Sequence, residues 1–203
     1  MGEADTMSRP YTGNRDLTTG ARPGTVRFMD YILFFNPGAR NLGIWANRTV
    51  RGGQSRSVHQ TGRALDIGAE RPQLAQIIEG IYRHRETFMV EEIHDYIGAW
   101  IPTEGFGAGY RCDRDTGGLF SGWRIYTKNT IGRGGSWTHV ELAPDMANSA
   151  ERVDQAFTEL FSVIEESNES SSNPDPDPDS GGLPVKKPSP RVRNRTTGKS
   201  GKT

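Results

Sequence analysis

The chain contains the segment Ser57-Val58-His59-Gln60-Thr61-Gly62-Arg63-Ala64-Leu65-Asp66-Ile67-Gly68, which carries both structural and chemical signals. Its part Arg63–Ile67 alternates enough in hydropathy to predict a β-strand. Gly62 and Ala64 are small, so the chain can turn sharply and pack closely between His59 and Asp66. The segment therefore predicts that the imidazole of His59 and the carboxylate of Asp66 meet at one point.

Three helices and several further strands are predicted around this segment. A helix capped by Thr25 ends at Pro37-Gly38, and two others span roughly 72–86 and 149–165, each with one apolar stripe. Residues 42–58 are predicted to be loops with a short strand. Strand patterns follow at 91–100, 123–127 and 136–142. This mixed order, without regular βαβ alternation, predicts an α+β fold.

The sequence predicts one domain, residues 25–166, between an irregular lead-in, residues 1–24, and a tail, residues 167–203. The tail changes from Ser, Pro and Asp to Lys and Arg, and it contains almost no large apolar side chains. Such a segment cannot offset the entropy of an ordered chain, so we expect it to be disordered. It is either a solvated tail or a basic segment that adheres to anionic wall polymers.

Composition narrows the classes of function. The formal net charge is +0, which gives no global electrostatic reason to expect a nucleic-acid or anionic-lipid partner. We find no apolar run long enough to span a bilayer and no secretory signal pattern at the N-terminus. Cys112 is the only cysteine, which excludes an internal disulfide. We therefore expect a monomer made in a reducing cytoplasm, without a signal peptide.

A metal site built on His59 and Asp66 needs a third ligand, because catalytic zinc takes three protein ligands and keeps one open position. His84 lies near a predicted helix end, where a surface position explains it adequately. His94 is harder to dismiss: His94 and Asp95 could orient a metal ligand or contact a substrate, although an ordinary strand surface explains both better. His139 belongs to a predicted strand that alternates its side chains between two faces and follows a glycine-rich loop. His139 is the best third ligand.

These residues resemble the M15 family of zinc peptidases, which comprises D-alanyl-D-alanine carboxypeptidases and dipeptidases and phage L-alanyl-D-glutamate endopeptidases. The resemblance covers roughly residues 40–145. It implies a compact α+β fold with the metal on a central antiparallel sheet flanked by helices. It also implies that zinc is bound by His59, Asp66 and His139. The matching pattern is Ser57-x-His59-x-x-Gly62-x-Ala64-x-Asp66, with Gly52-Gly53 before it and Trp137-x-His139 far downstream.

The sequence departs from the family pattern at the catalytic acid, which these enzymes place three residues before the last histidine. Ser136 stands there, and a serine alone cannot act as general base for zinc-bound water. Glu141 is the candidate replacement, because it shares the strand face of His139. The alternatives are that it is an exposed strand carboxylate or that it orients a ligand histidine.

The arginine that these enzymes use to steady the substrate carbonyl has three candidates in the right region of this chain. Arg40, Arg48 and Arg51 all lie there, and the spacing does not choose among them. We favour Arg48.

The resemblance thus predicts a zinc metallopeptidase acting on peptidoglycan stem peptides. We expect a bacteriophage endolysin or virion lysis protein that reaches the wall after release or as part of the virion. The alternative is a wall-binding or virion structural module that keeps the fold without the reaction. A cytoplasmic dipeptidase, or a nucleic-acid binder acting through the basic tail, has less support.

Overall fold

The computed structural model describes residues 8–50, 53–103, 106–127 and 135–171, with side chains as far as Ser162. Its central element is a six-stranded sheet in the order β1-β2-β6-β3-β4-β5, in which all neighbouring strands are antiparallel. The strands are β1 (Arg40–Gly43), β2 (Ala64–Gly68), β3 (Val90–Asp95), β4 (Ala108–Arg111), β5 (Trp123–Ile125) and β6 (Trp137–Leu142).

Strand β6 lies between β2 and β3, and its register aligns chemically active side chains across the three strands. His139 is paired with Asp66 on one side and with His94 on the other. Glu141, two residues further along β6, is paired with Ala64 and Glu92. Because side chains alternate along a strand, both rows point to the same face of the sheet.

The opposite face carries the hydrophobic core. Val140 and Leu142 of β6 are fully buried there and pack in one cluster with apolar side chains from the helices. The helices are α1 (Pro23–Phe35), α2 (Arg71–Arg83), α3 (Pro144–Asn148) and α4 (Ala150–Ser171). The first three each have a proline in the first turn, where the missing N–H costs no hydrogen bond. The α+β prediction is confirmed.

Several predicted boundaries are wrong. Helix α1 begins at Pro23, before the predicted cap Thr25, because the proline suits the first helical turn. Helix α2 ends at Arg83 rather than Glu86. Strand β3 ends at Asp95 rather than Trp100, because the Asp95 carboxylate accepts the backbone N–H groups of the next turn.

Helix α3 and strand β4 were not predicted. Strand β4 is short and contains Gly109 in its sequence Ala-Gly-Tyr-Arg, which gives no alternating pattern. Strand β1 falls at the edge of a region predicted to be loops with a short strand.

The described residues as far as Glu165 form one compact unit. Residues 8–22 of the lead-in form neither helix nor strand. The backbone of α4 continues to Ser171, so residues 167–171, which were assigned to the tail, are helical. The predicted disorder of 172–203 lies outside the described residues. Within the described part of the chain, no helix is long and apolar enough to cross a membrane.

Candidate metal centre

Three side chains from separate elements converge on the face of the sheet opposite the core. His59 lies in a 3-10 turn, Val58–Thr61, while Asp66 lies on β2 and His139 on β6. Asp66 Oδ1 is 3.1 Å from His59 Nε2 and 2.8 Å from His139 Nδ1. All three residues are at least nine-tenths buried. This is the convergence that the sequence predicted.

The motif residues around His59 explain how the turn is built. Ser57 Oγ accepts the backbone N–H of His59 and caps the turn. Gly62 ends the turn with φ of +69°, and a Cβ atom there would lie 2.5 Å from the carbonyl oxygen of Gly20. A glycine is therefore required at this position for both backbone conformation and space.

His59 presents a lone pair to the centre of the group. Its Nδ1 lies 2.9 Å from the carbonyl oxygen of Ile44, which can only accept, so Nδ1 carries the proton. In a neutral imidazole Nε2 is then an acceptor, and it is buried without a hydrogen-bond partner. The nearby Asp66 Oδ1 is also an acceptor. Two buried acceptors facing each other favour a cation between them.

His139 has a carboxylate on each side of its ring. Nδ1 faces Asp66 Oδ1, and Nε2 lies 2.9 Å from Glu141 Oε1. Burial lowers the pKa of His139, but the hydrogen bonds to Asp66 and Glu141 outweigh it and raise the pKa to about 10. Burial likewise raises the pKa of Asp66, but the hydrogen bond to His139 and the neighbouring His59 imidazole bring it below its usual range. Both shifts have the same cause, since the buried carboxylates stabilise positive charge on the His139 ring.

The donor set and spacing fit a divalent metal ion. Ligands about 2.0–2.1 Å from a tetrahedral metal lie roughly 3.3 Å from one another, close to the two separations measured from Asp66 Oδ1. The His59–Asp66–His139 group can therefore hold a metal ion. It was the only such group of three found among the described residues.

The three residues lie at the floor of an open cleft of about 640 Å³. Arg48 lines the cleft, with its Nη2 3.7 Å from Asp66 Oδ2. Arg40 is exposed on β1 and does not line the cleft, while Arg51 lies outside the described residues. Of the two described arginine candidates, only Arg48 lines the cleft.

The Glu141 carboxylate contacts the candidate metal ligand His139. Oε1 lies against His139 Nε2, and Oε2 accepts the Tyr11 hydroxyl at 2.9 Å. Glu141 is thus on the far side of the imidazole from Asp66, which favours the orienting role over general base. Ser136 is exposed just before β6.

His94 was expected on an ordinary strand surface, with a contact to a metal ligand or a substrate as the alternative. It lines the cleft beside His139, with ring centroids 5.3 Å apart. His94 Nε2 is 3.4 Å from Glu92 Oε2, and Nδ1 contacts the Tyr126 hydroxyl. Asp95 is buried and shapes the turn after β3. Because side chains alternate along β3, the neighbouring His94 and Asp95 point to opposite faces of the sheet.

Tyr11 is a cleft residue that the sequence analysis missed, as it missed Glu92. It belongs to the irregular lead-in, yet its hydroxyl reaches both Glu141 and Glu92 in the cleft. No local pattern signals such a contact between residues so distant along the chain.

Comparisons with protein-family models, with curated proteins and with solved structures found no match to this chain.

Proposed function

We propose that the chain is a zinc-dependent peptidase of the M15 type that hydrolyses an amide bond in peptidoglycan stem peptides. As a bacteriophage endolysin or virion lysis protein, it reaches the wall after release or within the virion. One observation carries the proposal. Two imidazole nitrogens and one carboxylate oxygen meet at the floor of an open cleft, in the chain order of the M15 motif.

Zinc is the metal that this donor set favours. The site offers nitrogen and oxygen donors in a set of three, and three protein ligands leave a coordination position for water. When bound, zinc lowers the pKa of a coordinated water and polarises a carbonyl oxygen. Calcium and magnesium prefer sites made of oxygen alone.

Substrate binding and proton transfer are assigned to residues around the candidate metal ligands. Arg48 is 44% exposed at the cleft and carries a guanidinium suited to a substrate carbonyl or carboxylate. The Glu92–His94 pair lines the cleft and is the candidate acceptor for the proton of an attacking water, because both oxygens of Glu141 already contact His139 and Tyr11. Replacing Arg48 with Ala should raise KM, whereas Arg40→Ala on the exposed β1 strand should not.

A second candidate function, a wall-binding or virion structural module without the reaction, rests on Glu141. Both of its oxygens already have partners, and Ser136 stands where the family has its acid. In that case zinc would only stabilise the fold, and the chain would bind peptidoglycan without hydrolysing it.

The test is the release of free amine from purified peptidoglycan, with muropeptide masses to locate the bond. The peptidase proposal expects amine release that a chelator abolishes, zinc restores and His59→Ala eliminates. Activity that is indifferent to chelation and survives His59→Ala would refute the zinc mechanism. Binding to peptidoglycan without amine release would instead support the structural module.

A further inference from the structure

The lead-in contributes a side chain to the metal centre. Tyr11 lies between Glu141 and Glu92, with its hydroxyl 2.9 Å from Glu141 Oε2 and 3.1 Å from Glu92 Oε2. Its ring packs under the guanidinium of Arg111, whose carbon lies 4.7 Å from the ring centroid. The phenol is therefore held at both its face and its hydroxyl.

The segment on either side of Tyr11 is anchored independently of the metal ligands. Arg9 Nη2 donates to the carbonyl oxygen of Val90 at 2.8 Å. Thr12 Oγ1 donates to the buried Glu91 at 2.5 Å. The fully buried Arg63 bonds the carbonyl oxygen of Gly13. These contacts fix the backbone, so the position of Tyr11 does not depend on its own hydroxyl.

The Tyr11 hydroxyl begins a chain of contacts that ends at the candidate metal ligands. Tyr11 holds Glu141 Oε2, Glu141 Oε1 holds His139 Nε2, and His139 Nδ1 then faces Asp66. Burial, followed by the charges of Glu141 and Glu92, raises the pKa of Tyr11, which keeps the phenol protonated as a donor. A carboxylate that orients a ligand imidazole influences metal affinity, and here that carboxylate is itself held by a residue from the lead-in.

We propose that Tyr11 is a positioning residue of the metal site, which sets the orientation of His139 through Glu141. This inference deepens the proposed function and rests on it for the identity of the metal. The lead-in is then a part of the site, supplied from a segment far from the ligands along the chain.

The test compares the full chain with Tyr11→Phe, which keeps the ring and its packing but removes the donor. Tyr31→Phe is the matched control, since it removes a hydroxyl that donates to Asp154 at 2.8 Å outside the cleft. Zinc affinity is measured by competition with a chromophoric chelator. The visible spectrum of bound Co²⁺ reports the ligand geometry.

We expect Tyr11→Phe to weaken zinc binding by about tenfold and to change the Co²⁺ spectrum, while Tyr31→Phe does neither. Tyr11→Phe should also weaken binding no further in a Glu141→Ala background, because Glu141→Ala already removes the carboxylate through which Tyr11 acts. Wild-type affinity and spectrum in Tyr11→Phe would overturn the positioning role alone. Absence of zinc binding by the wild-type chain would overturn the proposed function as well.

If Tyr11→Phe does not fold, Arg9→Ala provides the second test. It removes the anchor to β3 at a partly exposed position and leaves Tyr11 itself intact. A smaller loss of zinc affinity in the same direction is expected. Unchanged affinity in Arg9→Ala would then count against the role of the segment.

Discussion

Glu141 illustrates how a single carboxylate acquires its role from its two partners. Its Oε1 contacts His139 Nε2, and its Oε2 accepts the Tyr11 hydroxyl. The sequence could predict that Glu141 shares the strand face of His139, because alternation along β6 is a local property. It could not predict the Tyr11 contact, which depends on the path of an irregular segment. The choice between orienting group and general base was therefore open until these contacts were known.

The contacts predict different effects for two substitutions of Glu141. Glu141→Ala removes the acceptor for His139 and should weaken zinc binding by about 10- to 100-fold. Glu141→Gln keeps an acceptor oxygen, so zinc affinity and kcat at saturating zinc should both stay within about tenfold of wild type. Chelator competition and amine-release kinetics measure the two quantities. A loss of kcat of about 10² or more in Glu141→Gln, with zinc fully bound, would make Glu141 the proton acceptor instead.

At the scale of elements, the turn before β2 brings His59 to Asp66. The motif predicted this turn because its small residues and its spacing are local signals. Gly62 has φ of +69° and no room for a Cβ atom beside the Gly20 carbonyl. The strand β4 and the helix α3 gave no comparable signal, because both are short and their pairing depends on distant residues.

Replacing Gly62 with Ala should therefore destabilise the protein by at least about 2 kcal/mol, through left-handed backbone strain and the clash with Gly20. Zinc affinity should fall in parallel, because the turn carries His59. Gly80→Ala is the control: Gly80 lies in α2, where an added Cβ would meet nothing within 4 Å, and Ala there should be neutral or stabilising. Urea denaturation measures the free energy of unfolding of the two variants. Equal stability of the two variants would contradict the assigned function of Gly62.

At the scale of the whole molecule, the sheet separates a helical core on one face from a polar cleft on the other. The alternation along β6 predicted both faces, with Val140 and Leu142 inward and His139 and Glu141 toward the cleft. The order of the strands was not predictable, because β6 comes last in the chain yet lies between β2 and β3. That position brings the distant His139 beside Asp66.

Stability should also depend on pH through a carboxylate outside the cleft. Burial raises the pKa of Asp115, but the hydrogen bond from Arg85 at 2.5 Å and those from Gly117 and Ser121 leave it below its usual value. The unfolded chain therefore binds this proton more readily. The stabilisation is present above the unfolded pKa of about 3.9 and is lost as the pH falls through the folded pKa.

Wild type should accordingly exceed Asp115→Asn in stability at pH 7, and the difference should shrink as the pH drops below about 4. Urea denaturation of the two proteins, both metal-free, at pH 7, 4 and 3 measures this change. A difference that stays constant over the range would show that the ion pair with Arg85 is not its source.

The most direct test of the metal centre is the zinc content of the full chain after equilibrium dialysis against zinc. We expect one tightly bound zinc per wild-type chain, lost in His139→Ala and retained in His84→Ala, whose histidine lies at the end of α2 outside the cleft. Equal zinc content in the wild type and His139→Ala would contradict the assignment of His59, Asp66 and His139 as the ligands.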